Sequence, residues 1–164
     1  MEATDAIALP EWEVSQWFNT SQPIRVADLR GQVVLVHAFQ MLCPGCVSHA
    51  IPQARRVHEL FADQGVAVIG LHTVFEHHSA MQSHALEAFL YEYKVRFPVG
   101  IDAPSDDGQP IPRTMAKLDL RSTPSTLMLD RQGKLRLQHF GHLDDLLTGV
   151  VLGQLLAETA DIAS

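Results

Sequence analysis

The chain has 164 residues, 46% of them hydrophobic, enough to bury a full core covering roughly 70% of its unfolded surface. Its formal charge is −7 and its basic residues are scattered, which argues against nucleic acid as a partner. No apolar run approaches the ~20 residues of a membrane-spanning helix, so no membrane is expected as a partner either.

The start, Met1-Glu2-Ala3-Thr4-Asp5, is acidic, and the apolar stretch behind it ends at Pro10. It lacks the basic and apolar regions of a secretory leader, which gives a cytoplasmic expectation. Residues 11–30 carry Trp12, Val14, Trp17 and Phe18 before a turn at Asn19-Thr20-Ser21, read as a short hairpin with the two tryptophans as its core and rim. Asp28-Leu29-Arg30-Gly31 then turns the chain into a buried strand over 32–39. A helix from about Cys43 to Asp63 shows Ile51, Ala54, Val57, Leu60 and Phe61 at helical spacing, with Arg55, Arg56 and Glu59 opposite. Pro52 marks a kink in it.

Val66-Ala67-Val68-Ile69-Gly70-Leu71 reads as a second buried strand, and 79–94 as a helix carrying Ala85, Leu86, Phe89, Leu90 and Tyr93. Phe97 to Ile101 is a short strand, Pro104 to Pro112 a polar loop, and Met115, Leu118 and Leu120 suggest one helical turn. Strands over 125–129 and 135–140 flank Asp130-Arg131-Gln132-Gly133, a hairpin signal. An amphipathic helix over about 143–158 closes the chain. Strands alternating with helices imply parallel pairing, and the late hairpin adds antiparallel strands at one edge. The expectation is an α/β fold: a mixed sheet flanked by helices, in one domain over 1–164. Parallel crossovers bring the C-terminal ends of the first strands to one edge, where chemistry usually sits.

Cys43-Pro44-Gly45-Cys46 stands at that edge and holds the only two cysteines. Two thiols spaced by two residues can close a small disulfide ring. The helix start offers unpaired N–H groups that favour thiolate over thiol. Zinc sites use the same spacing, but a strand before and a helix after point to a dithiol redox site. Cys43, nearest the helix end and the solvent, reads as the nucleophile, and Cys46, one turn inside, as the resolving thiol. Pro44 fits an early helical position, and Gly45 leaves the approach to the sulfurs open.

With Leu29-Arg30-Gly31-Gln32-Val33-Val34-Leu35-Val36 leading into CPGC, a helix inserted after the second strand, and Ser122-Thr123-Pro124-Ser125-Thr126 entering the late hairpin, the chain resembles the thioredoxin-fold proteins. More narrowly it resembles the TlpA/ResA-like, redoxin (AhpC/TSA-related) branch, over about residues 10–158. The resemblance implies a thioredoxin-like fold and disulfide exchange with protein clients. It also implies a cis peptide before Pro124 facing the disulfide, with the backbone at Thr123 and Pro124 holding the client as an added strand. Three positions depart from the usual family pattern: Leu42 for tryptophan, His37 for an acidic residue or asparagine, and His49 for glutamate.

The resemblance also implies that His37 and His49 lie near the sulfurs, where either could relay a proton to or from Cys46 or, when charged, stabilise a thiolate. For His37 a half-buried structural histidine is an equal alternative. His72, Glu76, His77, His78 and His84 raise metal binding as a question. Adjacent His77 and His78 point apart, and the set reads as loop and surface histidines, so no metal and no cofactor is expected. The leading reading is a monomeric thiol–disulfide oxidoreductase working with protein clients and an electron donor. The alternatives are a CxxC/His metal-binding module and a thiol peroxidase. Peroxidases of the redoxin group carry proline and threonine or serine seven and three residues before their cysteine, where this chain has Val36 and Gln40.

Overall fold

A computed structural model describes residues 6–158; the acidic start at 1–5 lies outside the described residues, as do residues 159–164. The chain folds around β2, Val33–Phe39, every residue of which is buried. Its run is apolar but for His37, because both of its faces are covered. Val33, Leu35 and Phe39 pack into one core layer, and Val34, Val36 and Ala38 into the other.

β3 (Val66–His72) lies parallel to β2, pairing Val33 with Val66 and Phe39 with His72. β4 (Val99–Asp102) continues parallel to β3. On the other side of β2 come the antiparallel strands β5 (Ser125–Leu129) and β6 (Leu135–Phe140). With β1 (Val14–Phe18) at the far edge, the order is β1-β4-β3-β2-β5-β6 in one six-stranded mixed sheet. The α/β thioredoxin-like architecture expected from the sequence is therefore present.

Three helices cover one face: α1 (Ile51–Phe61), α2 (Ser83–Glu92) and α4 (Asp145–Ala157). Their Ile51, Ala54, Leu86, Leu90, Val151 and Leu155 share one core layer. The short α3 (Arg113–Lys117) covers the opposite face through Met115, beside Trp12, Val26 and Leu29. The late hairpin closes at Gly133, whose φ of +78° suits glycine. Asp130 Oδ1 there accepts the Gln132 and Lys134 amides at 2.9 and 3.0 Å. Asp144 caps α4 by accepting the Leu146 N–H at 2.9 Å.

The hairpin expected over 11–30 does not form. β1 pairs instead with β4, matching Phe18 to Val99 and Trp17 to Gly100. The segment after it is irregular until a 3₁₀ turn at Val26–Leu29. Pro23 has no N–H for a ladder, and Ser21-Gln22-Pro23 lacks strand alternation. Asn19 ends β1 in a left-handed conformation, φ +59°, donating its amide to Val95 O at 2.8 Å and Phe97 O at 3.1 Å. Trp12 is buried and donates to Ile24 O at 2.7 Å, with its ring 6.0 Å from that of Trp17.

The first helix carries a π-helical turn over Cys46–Ala50 before α1 proper begins. Pro52 explains it. A proline at this point cannot donate to the carbonyl four residues back, Ser48, and its ring crowds that carbonyl. Widening the preceding turn relieves the clash and absorbs one residue, and such π turns are frequent at functional sites. The kink read at Pro52 is thus a local widening just behind the second cysteine.

Candidate active site

Beyond Phe39 the chain leaves the sheet through Gln40, Met41 and Leu42, and the helix begins at Pro44. The Cys43 N–H donates to Gln40 O at 3.1 Å, closing the turn. Cys43 therefore occupies the position that caps the helix. Its Sγ accepts the Cys46 N–H at 3.3 Å, so the sulfur does the work of a capping oxygen for an otherwise orphaned donor. A thiolate is the better acceptor of such a bond.

The two thiols sit in different surroundings. Cys43 is half-buried and Cys46 fully buried. Burial pushes the Cys46 thiol up to about 12, and its hydrogen bond with Cys43 adds to the rise. Cys46 is therefore held protonated at neutral pH. The Cys43 S–H reaches Thr123 O at 3.5 Å. The Thr123–Pro124 peptide is cis. A Cβ on Gly45 would stand 3.4 Å from Pro124 Cδ, so the CPGC turn and the proline face each other in van der Waals range. Cys43, Gly45, Cys46, Thr123 and Pro124 thus come together, the proline loop lying where the resemblance placed it, while Pro44 and Leu42 lie on the exposed rim.

The histidines divide sharply. His37 points from β2 into the layer covered by α1 and is 1% exposed. Its Nδ1 lies 3.3 Å from Thr126 Oγ1. Its Nε2 has no hydrogen-bond partner among the described residues; the nearby Gln53 donates its amide nitrogen to Leu143 O at 2.7 Å and Asp145 Oδ1 at 2.8 Å. Burial pushes the His37 pKa down to about 4, against a weaker opposing pull from Gln53. His37 is therefore neutral near pH 7, which removes the expected charged role, and a ring this hard to protonate is a weak base for a proton relay. It is also fully buried, not half-buried. His49 is exposed on the flank of the π turn, its ring centroid 4.6 Å from that of His142. No hydrogen bond joins it to either sulfur among the described residues.

His72 is buried at the end of β3, where its Nε2 accepts the Met41 N–H at 3.3 Å and steadies the turn into Cys43. Burial pushes its pKa down to about 4 as well. His78 Nε2 lies 3.1 Å from Pro110 O, and His77 is an exposed residue with φ +49°. Among the described residues no group of three or more His, Cys, Asp or Glu side chains is arranged to hold a metal ion.

Sequence reasoning passed over Gln40, considering it only as a missing peroxidase hydroxyl. It is 1% exposed. Its side chain reaches the loop before Pro124 and the connection between β3 and α2, donating to Thr123 Oγ1 at 3.3 Å and accepting the Phe75 N–H at 3.2 Å. The available signal was its position: a polar residue directly after a buried strand and before the reactive turn.

The profile of the AhpC/TSA family matches residues 7–138. Among solved structures, a thioredoxin-like superfamily protein is 52% identical, with a TM-score of 0.90 over 94% of this chain and 99% of its own. A thiol-disulfide isomerase from Corynebacterium glutamicum is 47% identical, with a TM-score of 0.89 over 95% of this chain and 100% of its own. Among curated proteins, protein DipZ of Mycobacterium bovis is 27% identical over 145 residues, which are 87% of this chain and 20% of that protein. Human NHL repeat-containing protein 2 is 25% identical over 146 residues, 85% of this chain and 19% of that protein. The chain thus spans about a fifth of the length of these curated relatives.

Proposed function

We propose that this chain, which belongs to the AhpC/TSA family, exchanges disulfides with protein clients through Cys43 and Cys46. The observation that carries the reading is the asymmetry of the two sulfurs. One is accessible and accepts a helix-start N–H at 3.3 Å; the other is buried, with its pKa pushed up to about 12. The likeness to a thiol-disulfide isomerase supports the same chemistry.

The Cys43 thiolate attacks one sulfur of a client disulfide. The client S–S bond breaks, its other sulfur leaves as a thiolate that takes up a proton, and a Cys43–client mixed disulfide forms. Cys46 then loses its proton and attacks Cys43 Sγ. The second client thiol departs, and the Cys43–Cys46 disulfide remains. Two electrons have passed to the client, and a cellular dithiol of lower potential returns them to the pair. The high pKa of Cys46 delays this second step until a client occupies Cys43. Neutral His37, its pKa held near 4 by burial, is too weak a base for the Cys46 proton, which passes to the departing client sulfur. Thr123 and Pro124 would seat the client backbone beside Cys43. His49, tilted against His142 with ring centroids 4.6 Å apart, is assigned no role in either step. Both thiols and the proline loop come from one chain, so a monomer suffices.

The family match gives a peroxidase reading some support, yet two residues oppose it. Val36 is core, and the Gln40 amide is already engaged by Phe75 and Thr123. Insulin reduction run beside peroxide consumption separates the two. We expect the protein to accelerate insulin precipitation by dithiothreitol and to leave peroxide at the background rate. Peroxide consumption without insulin reduction would reverse the assignment.

A further inference from the structure

Three chain segments meet around Cys43, and Gln40 is bonded to each. Its carbonyl accepts the Cys43 N–H at 3.1 Å. Its Oε1 accepts the Phe75 N–H at 3.2 Å, and its Nε2 donates to Thr123 Oγ1 at 3.3 Å and to Glu76 Oε1 at 3.5 Å. Thr123 in turn brings its carbonyl to 3.5 Å from Cys43 Sγ.

Two backbone groups therefore pull on this sulfur in opposite directions. The Cys46 N–H favours thiolate, and the Thr123 carbonyl favours thiol. The first belongs to the helix and cannot move independently. The second lies on a loop, and the side-chain bond that ties this loop to the end of β2 is the one from Gln40. We propose that Gln40 is a positioning residue for the dithiol reaction. By holding Thr123 in place it sets how readily Cys43 gives up its proton, and with it the reactivity and redox equilibrium of the pair. This rests on the dithiol reading above.

Gln40→Met keeps length and apolar bulk but removes all three side-chain amide bonds. Thr123→Val removes the hydroxyl that Gln40 engages, at the cost of the same hydroxyl's interaction with Cys46. In each, the Thr123 carbonyl is released and the thiol loses its acceptor. The pH midpoint of the first alkylation by iodoacetamide should then fall by about half a unit, the scale of one modest hydrogen bond. The equilibrium with glutathione should shift with it. Because both changes act through one link, the double variant should shift no further than the larger single one. An unchanged midpoint, or a rise, in folded Gln40→Met overturns the proposal. If that variant does not fold, Thr123→Val decides alone by the same criterion. Alkylation needs no client, so a wild type that fails to reduce insulin would sink the dithiol reading separately from this one.

Discussion

Two buried polar hubs stand at the same edge of the sheet, two strands apart, and they differ in what they hold. At the end of β4, Asp102 is 4% exposed. Its Oδ1 accepts the Thr114 N–H at 2.7 Å; its Oδ2 accepts the Met115 N–H at 2.8 Å and the Thr73 hydroxyl at 2.9 Å. Burial still raises its pKa, despite these bonds. None of its partners bonds to a sulfur, and its task is to fasten α3 to the sheet. At the end of β2, Gln40 uses its amide in the same way, satisfying loop groups that would otherwise be stranded. One of those groups, Thr123, reaches Cys43. A buried polar side chain thus stabilises an element in one place and aims a reactive atom in the other. Stability and reactivity are separable by residue.

Removing the sulfurs should have the largest effect. Cys43→Ser and Cys46→Ser should each lose nearly all disulfide turnover while staying folded, since neither cysteine is a staple. Cys46→Ser should accumulate mixed disulfides with clients on non-reducing gels, and Cys43→Ser few, because its remaining thiol is buried with a pKa of about 12. Equal trapping by both would erase the asymmetry on which the mechanism depends.

Acid should come next, and it should act mainly on the sulfur side of the comparison. His37 and His72 titrate near 4 when folded and near 6.5 when unfolded, so the unfolded chain takes up protons first. Their contribution is fully present above about pH 6.5 and is lost as pH falls towards 4. By pH 5 the loss is roughly 2 kcal/mol for each. Asp102, raised in the fold, titrates in the opposite sense and offsets part of it. Urea unfolding at pH 7 and pH 5 measures the sum. His72→Gln should flatten the difference by about half; an unaltered difference would mean that His72 does not titrate as its burial implies.

The Asp102 hub itself should yield a smaller loss. Asp102→Ala strands the Thr114 and Met115 amides and should cost about 3 kcal/mol, a fall in Tm of about 6–12 °C. Among folded molecules, the alkylation midpoint of Cys43 should stay where it is. A shifted midpoint would show that the two hubs are coupled and that the separation drawn between them is wrong.

The sequence by itself determined most of the elements and pointed to the dithiol chemistry. The runs at Val33–Phe39 and Val66–His72, the turn at Asp130-Gly133 and the CPGC at a strand–helix junction are written in neighbours a few residues apart. Periodicity and turn chemistry act over that range. What only the tertiary structure decided lies between residues far apart in the chain. β1 found its partner in β4 rather than in the segment following it, because an open strand edge outcompetes a stretch broken by Pro23. His37 and His49 looked equally eligible, yet one is buried and neutral while the other is exposed against His142. Gln40 meets Glu76 36 positions away and Thr123 83 positions away. No local pattern records such a meeting: a side chain's solvent exposure, hydrogen-bond partners and pKa are properties of the segments packed around it, and only folding brings those segments together.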